Sequence, residues 1–194
     1  MFIVIEGLDG SGKTTLIENL GVELSKLNQT FVSTKCPGGA TTSLRQILLS
    51  KNNLNWKTKL LLFLADQVET IDKIIQPALK EVNFVIADRF VFSSIAYACL
   101  DSPENTLEIL NLTQSIVNPA LPDLIVHLDL DKDSAKERLE VKNHLDETAL
   151  DNFDNLRQIY GKVYKSLGVK PLQINSKVFS PEAITKIVLN HLNL

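Results

Sequence analysis

Cysteine, histidine pairs, basic clusters and long apolar runs are all scarce in this chain, and each scarcity removes a class of protein. The two cysteines in 194 residues, Cys36 and Cys99, have neither metal-ligand spacing nor the pattern of a disulfide framework, which points to a reducing compartment. The three histidines, His127, His144 and His191, form no pair with ligand spacing, so the sequence implies no resident metal site. Lys and Arg are scattered and the net charge is −3, so no global basic field draws the chain to nucleic acid or membrane. No apolar run approaches the ~18 residues of a membrane span. The N-terminus lacks the basic start and longer apolar stretch of a signal peptide. No repeat, low-complexity tract or linker divides the chain. A single domain over residues 1–194, cytoplasmic and soluble, is expected.

What is present is organised from the first residues. At 44% hydrophobic content the chain can bury a full core without metals or disulfides. Phe2 to Ile5 is a short apolar run with β-branched residues and reads as a buried strand. It enters Gly7-Leu8-Asp9-Gly10-Ser11-Gly12-Lys13-Thr14, a G-x-x-x-x-G-K-[ST] phosphate loop, and Thr15, Leu16, Ile17 and Leu20 continue it as a helix. Glycines let backbone N–H groups curl around an anion, and the helix N-terminus adds positive partial charge. Lys13 is placed to reach β/γ phosphates and the Thr14 hydroxyl to sit on Mg²⁺. The motif predicts a nucleoside triphosphate site.

Strand-like runs recur at 30–34, 83–87, 124–128 and 170–174, separated by amphipathic segments at 13–27, 42–49, 56–80, 93–100, 103–118, 132–142, 151–167 and 181–192. Such alternation predicts a three-layer α/β/α fold, a five-stranded parallel sheet with helices on both faces. Ligands then bind beyond the carboxyl ends of the strands. Two strand ends carry chemistry. Asp88-Arg89-Phe90 places a carboxylate where phosphate-loop enzymes hold or orient Mg²⁺, beside an arginine able to fork onto a phosphate. A surface Asp–Arg pair also fits those two residues taken alone. Thr34-Lys35-Cys36-Pro37-Gly38-Gly39-Ala40-Thr41 precedes Arg45, which a plain β–α turn with a solvated arginine would equally explain.

Together these segments resemble the thymidylate kinases over nearly the whole chain. The resemblance is carried by Gly7-Leu8-Asp9-Gly10, by Pro37-Gly38-Gly39 with Arg45, and by Leu61-Leu62-Phe63-Leu64-Ala65-Asp66. It continues through Asp88-Arg89-Phe90-Val91-Phe92-Ser93-Ser94-Ile95-Ala96-Tyr97 and Leu121-Pro122-Asp123-Leu124. It implies that Lys13, Thr14 and the loop amides hold ATP phosphates and Mg²⁺, and that Asp9 faces the acceptor nucleotide. Arg45 and Arg89 would grip the acceptor monophosphate, with Pro37, Ser93 and Ser94 around it. Phe63 would stack on the pyrimidine and Tyr97 would fill the sugar C2′ position, although both also fit a helix core. Arg138 would lie near the adenine, Arg157 toward the acceptor side, and residues 132–150 would form a short lid. The resemblance also implies a homodimer, with 59–65 and 93–100 as candidate surfaces.

Several positions depart from the family pattern. Gln67 stands where an arginine usually reads a thymine carbonyl, Ala98 where glutamine is common, and Cys36 where glutamate precedes Pro-Gly-Gly. Gly10 in the phosphate loop calls for lid arginines, yet beyond Arg138 the later Asp-Arg pair is replaced by Asp146-Glu147. Lys136 and Lys142 are substitutes or simply a solvated helix face. The resulting reading is an ATP-dependent, Mg²⁺-assisted kinase converting dTMP to dTDP for dTTP synthesis. Its alternatives are a kinase for another deoxypyrimidine monophosphate such as dUMP, or a nucleotide-binding homologue with weakened phosphoryl transfer.

Overall fold

The computed structural model describes residues 1–50, 54–117, 121–138 and 144–194. Five strands, β1 (Phe2–Gly7), β2 (Phe31–Lys35), β3 (Phe84–Asp88), β4 (Leu124–Asp129) and β5 (Leu172–Asn175), form one sheet in the order β2-β3-β1-β4-β5. All pairings are parallel, as expected for strands separated by helices. The central strand β1 is buried along its length, and its alternation assigns it to two cores. Phe2 and Val4 enter the core under α3 (Trp56–Thr70), α5 (Val91–Asp101) and α9 (Phe153–Ser166), whereas Ile3 and Ile5 enter the one under α1 (Lys13–Lys26) and α10 (Pro181–His191). Glu6 therefore points to the α5/α9 side, into the interior.

The helices follow local chemistry. In α9 the residues Phe153, Leu156, Ile159, Tyr160, Val163 and Tyr164 are buried at helical spacing while the charged positions face out. Ser180 caps α10, its hydroxyl accepting from the Ala183 amide, and Pro181 occupies the first turn. The segment expected as one helix over 56–80 is interrupted: α3 gives way to a π turn, Ile71–Ile75, before α4 (Gln76–Glu81). Pro77, with no N–H to give, accounts for the widened turn ahead of it. Among the described residues the other α-helices are α2 (Thr42–Leu49), α6 (Thr106–Val117), which a 3-10 turn over Pro103–Asn105 precedes, α7 (Lys132–Arg138) and α8 (His144–Asp151). A further correction concerns 93–100 as an association surface: Ser93 to Cys99 are buried inside the chain, whereas Leu61 on α3 is exposed. Among the described residues, no helix is long and apolar enough to cross a membrane.

His127 on β4 is buried against α9, where its Nδ1 shares a 2.7 Å hydrogen bond with the Tyr164 hydroxyl. Burial holds its pKa down at about 4 against an ordinary 6.5, so the folded chain keeps it neutral. Below pH 6.5 the unfolded chain binds a proton that the folded one refuses until about pH 4, so this residue costs stability as pH falls through that window. Denaturant unfolding at pH 7 and pH 5 is expected to show about 2 kcal/mol of acid destabilisation that His127→Gln removes. An unchanged pH slope in the variant would contradict this account.

Candidate active site

The carboxyl ends of β1, β2, β3 and β5 open into one cleft of about 980 Å³, whose walls include the phosphate loop, Arg45, Phe63, Asp88, Arg89, Tyr97, Arg138 and residues 176–181. The loop is held close to β4. Gly7 has φ +142°, and a Cβ there would lie 2.3 Å from the Leu128 carbonyl oxygen, so only glycine allows the approach. Helix α1 then starts at Lys13 with no side-chain cap and no acidic residue in its first turn. Its leading amides lack intrahelical acceptors and line the cleft, the arrangement of an anion site.

Charge is concentrated where β1 and β3 end. Register pairs Ile5 with Asp88, and the Arg89 amide donates to the Ile5 carbonyl, which sets Arg89 directly beside the loop. Arg89 Nη2 donates to Asp9 Oδ1 at 2.7 Å, and Lys13 Nζ reaches the same oxygen at 3.4 Å. Burial would raise the Asp9 carboxyl, but the two cations outweigh it and hold it below the usual carboxylate range. Burial, reinforced by Arg89, pushes the Lys13 ammonium down. One carboxylate thus joins the phosphate loop to the far half of the cleft.

That far half is built by β2 and the helices α3 and α5. The Cys36–Pro37 peptide is cis, and the Pro37 carbonyl accepts from Arg45 Nη1 at 2.6 Å. Gly38 has φ +97°, and a Cβ would come within 2.5 Å of Arg45 Cδ, so the arginine lies across bare backbone. Asp66 Oδ2 fastens this turn by accepting from the Gly38 amide at 2.9 Å and from Cys36 Sγ at 3.4 Å. Burial pushes up both the Asp66 carboxyl and the Cys36 thiol. Phe63 and Tyr97 belong to the core and still line the cleft, so the two readings of these aromatics coexist.

Most of the residues expected from the sequence converge here: Asp9 to Thr15, Pro37, Arg45, Phe63, Asp88, Arg89, Ser93, Ser94, Tyr97 and Arg138 all line the one cleft. Gly7 and Leu8 lie beneath it as the loop's support. Gln67 is not on the wall. It is fully buried, its Nε2 donating to Ser94 Oγ at 2.6 Å, and Ser94 faces the cavity in its place. Arg157 is also elsewhere, paired on the surface with Asp129. Lys136 is exposed and off the cleft, and Lys142 lies outside the described residues. Lys35, Asp146 and the segment 176–181 also line the cleft and are not expected from the motifs, although the rule that ligands meet strand ends marks the loop after β5.

The donors suit a magnesium ion carried by a nucleotide. Asp88 Oδ1 is buried and accepts no hydrogen bond from the described residues, and Thr14 opens on the same cleft. Among the described residues no cluster of three or more His, Cys, Asp or Glu could hold a metal alone, so phosphate oxygens would complete the coordination.

A phosphate loop at the centre of a parallel sheet, facing arginines and aromatics across a shared cleft, defines a phosphotransferase of the P-loop kinase class. The thymidylate kinase family model matches residues 5–184. The thymidylate kinase of Mesoplasma florum is 39% identical over 155 residues, 76% of this chain and 74% of the relative. That of Helicobacter acinonychis is 38% identical over 188 residues, 91% of each chain. The crystal structure of thymidylate kinase from Ehrlichia chaffeensis superposes with a TM-score of 0.75 at 28% identity, covering 100% of this chain and 98% of the other. The chain belongs to the thymidylate kinase family, and is a nucleoside monophosphate kinase.

The packing of Arg45 over Gly38 is directly testable. Gly38→Ala is expected to displace the arginine and raise KM for the acceptor nucleotide roughly tenfold, the worth of a charged hydrogen bond, with KM for ATP little changed. Equal rises for both nucleotides would mean that the substitution damages the cleft as a whole.

Proposed function

We propose that the chain transfers the γ-phosphoryl group of ATP to dTMP, giving ADP and dTDP. The observation that carries this reading is the shared carboxylate: Arg89 and Lys13 meet at Asp9 Oδ1, so a donor-phosphate cation and an acceptor-phosphate cation stand side by side in one cleft. An oxygen of the dTMP phosphate attacks the γ-phosphorus as the bond to the β–γ bridging oxygen breaks. That acceptor oxygen is already nucleophilic, so the protein supplies position and positive charge rather than a strong base.

In this reading Lys13, Thr14 and the loop amides from Gly10 to Thr15 hold the ATP phosphates. Arg138, whose Nη1 donates to the Ser176 carbonyl at 3.3 Å, and the neighbouring segment 176–180 flank the adenine. Arg45 and Arg89 fork onto the dTMP phosphate, Phe63 stacks on the base, and Tyr97 fills the space of a 2′-hydroxyl. Thr14 and Asp88 would hold Mg²⁺, which neutralises phosphate charge when bound. Ser94, backed by Gln67, presents the polar contact to the base edge, and the 5-methyl group contributes only about 1–3 kcal/mol of preference over dUMP. The whole chain acts as one kinase domain with a lid over 132–150, of which 139–143 lie outside the described residues, and the exposed Leu61 face of α3 is offered as the homodimer contact.

A coupled assay across dTMP, dUMP, dCMP and dGMP tests the assignment. It should give the highest kcat/KM on dTMP, dUMP within about two orders of magnitude, and dGMP far behind. Lys13→Ala should lower turnover on dTMP at least about 10²-fold while the circular dichroism spectrum is retained. Preferred turnover of dCMP or dGMP, or normal turnover by a folded Lys13→Ala protein, would refute it.

A further inference from the structure

One buried ionisable group beneath the cleft has no part in the chemistry above. Glu6, at the end of β1, is fully buried on the face turned to α5 and α9. Its Oε1 accepts from the Phe90 amide at 2.9 Å and the Ser93 amide at 3.4 Å. Its Oε2 accepts from Ser93 Oγ at 2.6 Å and from the Tyr160 hydroxyl at 3.3 Å. The two amides can only donate, which fixes Oε1 as an acceptor. Although burial raises the Glu6 pKa, Arg89, Lys13 and these hydrogen bonds favour the carboxylate, toward which both hydroxyls donate.

The arrangement dictates where the hydroxyl protons go. With Glu6 ionised, the one Ser93 hydroxyl proton goes to Oε2. Ser93 Oγ can then only accept from its other neighbours, the Tyr160 hydroxyl at 2.7 Å and Arg89 Nη1 at 3.0 Å. The Tyr160 proton goes to Ser93 or Glu6, so its oxygen offers a lone pair to Arg89 Nη1 at 3.3 Å. A single carboxylate therefore sets the polarity of two hydroxyls, and both present lone pairs to one arginine nitrogen. The Arg89 backbone has φ +67°, a conformation non-glycine residues adopt only when the surroundings enforce it. Among the described residues nothing accepts from Nε, and Nη2 bonds only Asp9, so the Nε/Nη2 edge keeps donors for a phosphate.

We propose that Glu6, acting with Tyr160 through Ser93, is the positioning residue of Arg89: it orients the two hydroxyls as acceptors that pin Nη1 and so reserves the Nε/Nη2 edge for the acceptor phosphate. The proposal rests on the reading of Arg89 as a ligand of that phosphate. A plainer role, fastening the start of α5 through the Phe90 and Ser93 amides, makes a different prediction. Glutamine in place of Glu6 still offers an oxygen to both amides, but its amide nitrogen donates to Ser93 and Tyr160 and reverses their polarity.

Steady-state kinetics on the full-length protein separate the two roles, using Glu6→Gln, Tyr160→Phe, Arg89→Ala and the Glu6→Gln/Arg89→Ala double variant, with thermal melting to establish folding. Glu6→Gln should raise KM for dTMP roughly tenfold while KM for ATP stays near the parent value, and Tyr160→Phe should shift dTMP the same way. In the Arg89→Ala background, Glu6→Gln should add nothing further. Parent-like dTMP kinetics in Glu6→Gln and Tyr160→Phe would overturn the proposal, as would an undiminished Glu6→Gln effect without Arg89 or an equal rise for ATP. If Glu6→Gln does not fold, Tyr160→Phe alone and with Arg89→Ala decides by the same criteria. Should Arg89→Ala itself leave the dTMP KM unchanged, the phosphate role of Arg89 fails and the proposal with it. A dTMP defect in Arg89→Ala that neither partner variant shares rejects the positioning role alone.

Discussion

The bond from Arg89 to Asp9, with Lys13 on the same oxygen, is the contact on which the rest of the site depends. These residues come from the phosphate loop and the end of β3, and they meet because β3 is the neighbour of β1 in the sheet. Two cations this close repel each other, and the carboxylate between them makes the arrangement tenable inside a poorly solvated cleft. The same geometry explains the chemistry. Donor and acceptor phosphates both carry negative charge, and only a concentrated positive field lets them approach within bonding distance. Beyond it, the left-handed backbone at Arg89 and the Ser93 and Tyr160 hydroxyls at Nη1 all converge on the same guanidinium.

The departures at 36 and 67 both fall beside Asp66. The family pattern has an acid before Pro-Gly-Gly and an arginine after Ala-Asp, and this chain has Cys36 and Gln67. Cys36 Sγ donates to the buried Asp66, the chain neighbour of Gln67, whose own Nε2 donates to Ser94 Oγ. With Gln67 turned inward, Ser94 is the polar side chain that reaches the cleft at this point.

Much of this architecture is legible in the order of the residues. The phosphate loop, the alternation of strands and helices, and the strand-end residues Asp88 and Arg89 declare themselves because each depends on local pattern. Thr42–Leu49 is observed over its expected span, whereas the helix expected over 56–80 is broken by the π turn and α8 matches no expected segment. The features that local pattern does not reveal depend on distant contacts. Glu6 reads as the polar end of an apolar strand, and only the packing of α5 and α9 shows that it faces inward. Gln67 carries the spacing of a base reader, yet the turn of α3 places it behind Ser94. The run 93–100 is apolar enough for an interface, but the same composition serves an interior helix, and periodicity cannot separate the two. The wall at 176–181 has no motif at all.

The central claim is that one cleft holds both nucleotides with their phosphates meeting at Arg89, Asp9 and Lys13. Binding of a bisubstrate compound, adenosine and thymidine joined 5′ to 5′ through a chain of phosphates, tests it most directly by isothermal titration. The account predicts a single site per chain, affinity at least about 10²-fold above either nucleotide alone, and displacement by ATP and by dTMP alike. Binding no tighter than the better single nucleotide, or displacement by only one of the two, would contradict it.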